Sequence, residues 1–251
     1  MSIKALNAWL TLGAVLLLRP TFAQPAPTLN YEEQVFEGVT YGIYRPKTSN
    51  ISLHWQDKEQ KAYGSFSALY HALQAQNRQV LFITNAGIYS KSYRPAGLWI
   101  EKGQTLNALN TQSGSGNFHL QPNGVFLIND QGAHILTTKD YQRLNPSAFY
   151  ALQSGPMLVI NGKINPRFQP QLKSPYKRNA VCIDKEGNPA FILTLKRTQE
   201  WPNLYQFAHA LKNLSCQQAL YLDGSISSWY LQGKAGLFHW STFVGLIAVT
   251  L

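Results

Sequence analysis

"ALYLDGSISSWYLQ", residues 219–232, begins as a strand and changes character at a single residue. Ala219-Leu220-Tyr221-Leu222 has the apolar and aromatic content of a buried strand. The chain then presents one carboxylate, Asp223, followed by Gly224-Ser225-Ile226-Ser227-Ser228. Only 12 residues of the chain are acidic. An unpaired carboxylate at the end of a buried strand costs free energy unless hydrogen bonds or positive charge meet it. Asp223 is therefore either a structural cap bonded to the amides that follow it, or a reacting group.

The residues upstream of this strand read as a helix. "NLYQFAHALKNL" (203–214) sets Leu204, Phe207, Ala208 and Leu211 at i, i+3, i+4 and i+7, with Asn203 as N-cap after Pro202. The same unit occurs earlier. "SFSALYHALQAQ" (65–76) carries a Phe66, Leu69, Tyr70, Leu73 stripe and is followed by the strand "VLFIT" (80–84). Further strands are expected at "GVFLI" (124–128), "PMLVI" (156–160), "AFILTL" (190–195) and "FVGLIAV" (243–249). Asp130-Gln131-Gly132, Asn161-Gly162 and Glu186-Gly187-Asn188 mark hairpin turns. These elements predict an α+β fold, a mixed, largely antiparallel β-sheet with a few packed helices, in a single domain. The stretches 24–30 and 165–177 resemble linkers but mark no domain boundary.

Residues 1–23 read as a secretory signal peptide, with Lys4 in the charged region, an apolar "LTLGAVLLL" (10–18) and a small-residue exit at Ala23. The expected mature chain, residues 24–251, is exported to the periplasm or beyond. It has no stable membrane span, because no later segment is long and apolar enough. It carries 20 basic against 12 acidic residues, a net charge of +8. Such a field favours anionic ligands such as phosphodiesters and cell-wall polymers. No Lys/Arg run is present, so no nucleic acid partner is expected. In an export context Cys182 and Cys216 leave a disulfide and two buried free thiols both open. The oligomeric state is not legible.

Several turns carry residues suited to binding. The strand 80–84 ends in "NAGIYS", with Asn85, Gly87 and Tyr89, and so joins "DGSISS" as a second strand end of polar residues and glycine. "SGSGNFHLQPNGVF" (113–126, with Asn123) and "QSGPMLVINGK" (153–163, with Ser154 and Gly155) are turns whose backbone N–H groups can cradle an anion. "KRNAVCIDKEG" (177–187) sets Arg178 before a strand, where it can hold a phosphate bidentately, and "TLKRTQEW" (194–201) offers Lys196 more weakly. HExxH and G-x-S-x-G are absent, and the six histidines are scattered. Neither a metal site nor another cofactor is expected.

Taken in order, "NAGIY" (85–89), "GNFHLQPNGVF" (116–126), "QSGPMLVINGK" (153–163), "RNAVCI" (178–183) and "LDGSISS" (222–228) resemble the phosphodiester glycosidase family. That family includes the animal mannose-6-phosphate uncovering enzyme, and this chain is most similar to its bacterial exported branch. The resemblance covers residues 80–250. It departs from the family at Ser225 and Ile226, where better-characterised members carry "LDGGGS", and at Cys182, where they often carry glycine.

The resemblance implies cleavage of the sugar C1–oxygen bond of a sugar-1-phosphodiester of the N-acetylglucosamine type, in envelope or exopolysaccharide material. Ordinary glycosidases use two carboxylates, and here one acid stands in a motif. A phosphomonoester leaving group has a second pKa near 6 and departs without a strong general acid, provided that its charge is stabilised. The expected catalytic set is Asp223 at the anomeric carbon, Arg178 on the phosphate, and Asn85. Gly87, Tyr89, Asn123, Ser154, Gly155, Lys196, Gly224, Ser225, Ser227 and Ser228 are the expected substrate-binding set. Glu101, Asp184 and Glu200 are candidates for a second acid. The alternatives are a non-catalytic binder of anionic envelope glycans and, more weakly, a metal-dependent phosphodiesterase built on Asp223.

Overall fold

The expected strands pair into three antiparallel sheets rather than one. The computed structural model describes residues 29–172, 174–224 and 226–251; the expected signal peptide and Ser225 lie outside the described residues. The first part of the chain forms β1 (Tyr31–Phe36), β2 (Val39–Tyr44), β3 (Ile51–His54), α1 (Phe66–Gln74), β4 (Val80–Asn85), β5 (Trp99–Glu101) and β6 (Gln104–Asn107). The middle forms β7 (Gly124–Asn129), β8 (Gly132–Thr137), α2 (Thr138–Leu144), β9 (Tyr150–Ser154), β10 (Met157–Ile160) and β11 (Lys163–Ile164). The last part forms β12 (Asn179–Ile183), β13 (Pro189–Arg197), α3 (Leu204–Asn213), β14 (Gln218–Asp223), β15 (Trp229–Leu231) and β16 (Leu246–Thr250). The sheets run β1-β2-β13-β12-β14-β10-β11, β15-β4-β16-β3 and β6-β5-β9-β7-β8. The three turn signals each close a hairpin, β7–β8, β10–β11 and β12–β13.

Side-chain alternation explains why three sheets meet. In β13, Phe191 and Leu193 enter a central core shared by all three sheets, while Ala190 and Ile192 face the other way, onto α3. In β16, Ile247 and Val249 go to that core and Leu246 and Ala248 to α1. In β7, Phe126 and Ile128 point inward and Val125 and Leu127 toward α2. Each sheet thus buries one face in the common core and has a helix on the other. The helices start on side-chain caps: Ser65 for α1, Thr137 for α2, and a capping box of Asn203 and Gln206 for α3. Among the described residues no helix is long and apolar enough to cross a membrane.

The cysteine question resolves as a disulfide, Cys182–Cys216, closing 34 residues of chain. It clamps β12 to the start of β14 at the end of that pair opposite Asn179 and Asp223. Replacing both cysteines with alanine is expected to lower stability by about 3–4 kcal/mol, the loop-closure entropy of a segment this long. A urea titration checks this, and an unchanged midpoint would show that the crosslink does not constrain the unfolded chain.

Candidate active site

The register between β12 and β14 breaks where the acid sits. Ala180 pairs with Tyr221, but Asn179 pairs with Asp223, so β14 carries one extra residue, Leu222. A bulge of this kind re-aims the side chain that follows it. Tyr221, Asp223 and Gly224 thereby line one cavity of about 250 Å³ together with Ile88, Asn117 and Tyr176. Asp223 is the only carboxylate on its wall among the described residues.

A carboxamide network fixes this corner. Asn179, buried, accepts from the Asp223 N–H at 2.8 Å and from Ser227 Oγ at 3.1 Å. Its Nδ2 donates to the Oδ1 and the carbonyl of Asn85, both at 3.1 Å. Asn85 Oδ1 also accepts from the Ser228 N–H at 3.0 Å, and Thr84 Oγ1 donates to the Ser228 carbonyl at 2.8 Å. One buried asparagine therefore ties the seven-stranded sheet, the end of β4 and the loop after Asp223 into one unit. Among the described residues Asn85 Nδ2 has no hydrogen-bond partner of ordinary geometry, and the Asn85 amide is close enough to Asp223 to favour its ionised form.

Burial is the largest influence on Asp223 and pushes its pKa from 3.8 up to about 6, against the pull of the Gly224 N–H and Asn85. Gly224 is required here by space: a Cβ on it would come within 2.6 Å of Tyr221 Oη. That hydroxyl is held in place. Arg178 Nη1 donates to it at 3.0 Å, and the guanidinium lies over the Tyr221 ring, 5.5 Å from its centroid. Burial pushes the Tyr221 phenol up to about 12, with Arg178 opposing. Arg178 itself is fully buried, donating also to the Pro202 carbonyl at 2.7 Å and to the carbonyl and Oγ of Ser174. No carboxylate pairs with it among the described residues.

The phosphodiester glycosidase family profile matches residues 78–241. The chain belongs to that family. A relative from Escherichia coli (strain K12), the uncharacterized protein YigE, is 39% identical over 93% of this chain and 90% of its own. The fold is similar to the zebrafish N-acetylglucosamine-1-phosphodiester alpha-N-acetylglucosaminidase catalytic domain, auto-inhibited by its pro-peptide. That match has a TM-score of 0.59 at 16% identity and covers 88% of this chain and 82% of that one. A hypothetical protein from Synechocystis matches with a TM-score of 0.54 at 15% identity, over 90% of this chain and 64% of that one.

Within this phosphodiester glycosidase fold the expected residues divide into three groups. Asn85, Tyr89, Gly224, Ser227 and Ser228 gather around Asp223; the Tyr89 phenol is raised by burial and then by the Asp223 charge. Beneath them, Gly87 packs on Ser154, where a Cβ would lie 3.0 Å from the Ser154 Cβ. Ser154 is buried, donates to the Leu222 carbonyl at 3.3 Å, and so braces β14. Asn123 and Gly155 pack on each other one layer away, and Asn123 lines a neighbouring cavity with His119.

Two expectations change. Arg178 does not reach into the cavity, because its donors are turned to Pro202, Ser174 and Tyr221; its charge meets the cavity through the Tyr221 hydroxyl. Lys196 is exposed near the end of β13, paired with Thr40 of β2, and does not line the cavity. None of the second-acid candidates lines it either: Glu101 bonds to Trp55 and Trp99, Asp184 closes the β12–β13 turn, and Glu200 lies in a surface pocket beside Gln206. Among the described residues no three His, Cys, Asp or Glu side chains cluster at metal-holding range. Asn179 and Tyr221 are two residues of the site that the sequence did not single out, besides Ile88, Asn117 and Tyr176 of the cavity wall. Their signals were adjacency, Asn179 beside Arg178 and Tyr221 two residues before Asp223.

Proposed function

We propose that this protein is an exported hydrolase that cleaves the sugar C1–oxygen bond of N-acetylglucosamine-type sugar-1-phosphodiesters in envelope or exopolysaccharide material. The observation that carries this reading is a half-buried carboxyl and a phenol that line one cavity, the phenol backed by a buried guanidinium that has only neutral oxygens for partners among the described residues. Buried charges are ordinarily paired, and an anion beyond Tyr221 supplies the missing partner. Because Tyr221 accepts from Arg178, its own hydrogen is free to donate to a phosphate oxygen, polarised by the cation behind it. The Asp223 carboxylate lies across the same cavity, toward the anomeric carbon. It removes a proton from the attacking water as the C1–oxygen bond breaks and the phosphomonoester leaves with the bonding pair. The products are the free sugar and a phosphomonoester, with water consumed.

The Ile226 change in the "DGSISS" loop is compatible with turnover. Ile226 packs against the apolar cluster around α1 and does not line the Asp223 cavity. That packing favours the hydrolase over a binder that has lost its reaction.

Incubation of the protein with N-acetylglucosamine-1-phosphodiesters tests the reading by product. Free N-acetylglucosamine with a phosphomonoester is expected; N-acetylglucosamine-1-phosphate would mean attack at phosphorus and overturn it. The rate is expected to rise with pH through about 6 as Asp223 ionises. Asn85→Ala removes an influence that favours the carboxylate, so that limb is expected to move to higher pH; a shift downward would contradict the role given to Asn85.

A further inference from the structure

A second, larger groove of about 750 Å³ opens on the same rim of the molecule. Leu246 of β16 pairs on one side with Asn85 and on the other with His54, so β3 and β4 end level with each other, two strand spacings or about 10 Å apart. The groove begins at the end of β3, with Trp55 in its wall. Between it and the cavity stands a short hairpin closed by the Tyr89–Pro95 bridge and by the Ser90 N–H donating to the Arg94 carbonyl at 2.8 Å. Tyr89 of that hairpin answers to the Asp223 charge, while the Arg94 guanidinium lies over Trp55, 5.5 Å from its centroid, on the groove side.

The charges of the groove are unevenly engaged. Lys58, Arg78, Arg94 and Lys102 line it, and none of them is in an ion pair among the described residues. Its two acids are already satisfied by internal donors. Asp57 accepts the N–H groups of Glu59 and Lys61, and Glu101 accepts the Trp55 N–H and Trp99 Nε1, both at 2.7 Å. His54 responds to the resulting field: burial first, then Arg78 and Lys102, push its pKa down to about 3.

We propose that this groove binds an anionic group of a neighbouring repeat unit, so that the substrate is an extended phosphosaccharide lying across the 89–95 hairpin, with one linkage at Asp223 and another in the groove. The extended-substrate part rests on the phosphodiester glycosidase reading; the anion-binding groove does not. Four unpaired cations around a polar channel match the spaced negative charges of such a chain, and a small diester would leave them idle.

The test is calorimetric binding of an oligosaccharide of N-acetylglucosamine units joined by 1-phosphodiesters to full-length protein carrying Asp223→Asn, which removes turnover from the measurement. The double substitution Arg78→Gln with Arg94→Gln is expected to weaken binding by about tenfold at low salt and to flatten its salt dependence. Lys163→Gln with Lys212→Gln, the same charge removed elsewhere, is expected to change it little. Unchanged binding in the groove variant, an equal loss in both pairs, or equally tight binding of uncharged chitohexaose overturns the proposal. Thermal melting of each variant separates lost binding from lost fold. Failure of the catalytic reading is seen separately, as no sugar released by the unsubstituted protein from a small diester.

Discussion

Asp223→Asn is expected to abolish sugar release and, at neutral pH, to make the protein more stable. The first effect follows from removing the group that takes the proton from water, a change that costs about 10³-fold or more when the group acts as general base. The second follows from burial. The Asp223 carboxyl has a pKa of about 6 in the folded protein against 3.8 in an unperturbed chain. Between those values the folded state holds a proton that the unfolded state has released, so stability falls as pH rises through this window. Above it, the ionised carboxylate costs the fold about 3 kcal/mol, two pKa units at about 1.4 kcal/mol each. Asparagine keeps an acceptor for the Gly224 N–H without the charge. Urea midpoints are therefore expected to favour the variant at pH 7.5 and to converge with the unsubstituted protein near pH 4. A variant less stable at pH 7.5 would make Asp223 a structural cap, which answers the question posed by residues 219–232.

Arg178 is expected to give the second large effect. Arg178→Met leaves the Pro202 and Ser174 carbonyls and the Tyr221 hydroxyl without their buried donor, a loss of about 3–5 kcal/mol. Arg178→Lys keeps the charge but replaces a wide planar fork with a compact ammonium, whose donors radiate from one nitrogen and do not span the acceptors arrayed around the guanidinium. The lysine protein is expected to fold with reduced stability and to lose about 10²-fold in kcat, because the Tyr221 hydroxyl is no longer oriented and polarised. Full activity in a folded Arg178→Lys protein would show that the guanidinium serves packing alone. The pair also separates two contributions: Tyr221→Phe keeps the ring over which Arg178 lies and removes only the hydroxyl that faces the cavity.

Much of the local structure is carried by short-range chemistry and was readable without coordinates. The α1 and α3 stripes, the Asn203 cap and the three hairpin turns depend on residues close together in sequence. α2 was not anticipated. It is only seven residues long, too short for a full apolar stripe, and exists because Thr137 caps it and Tyr141 packs on the adjoining sheet. Partition into three sheets was equally hidden, because a buried strand looks the same whichever neighbour it pairs with.

The candidate site divides along the same line. Its centre was legible: Asp223, Gly224, Asn85, Tyr89, Ser227 and Ser228 stand at two strand ends whose composition breaks from apolar to polar within one residue. That much follows from the sequence alone, because a carboxylate or carboxamide ending a buried strand needs a reason. What only the tertiary structure decided is where each donor points. Arg178 and Tyr221 are 43 residues apart in sequence, and their contact turns the guanidinium away from the cavity. Asn179 reaches Asn85 across 94 residues. The extra residue in β14 re-aims Asp223 in a way that no periodicity announces. Hydrogen bonds between distant segments depend on how sheets pack, and packing is a property of the whole chain.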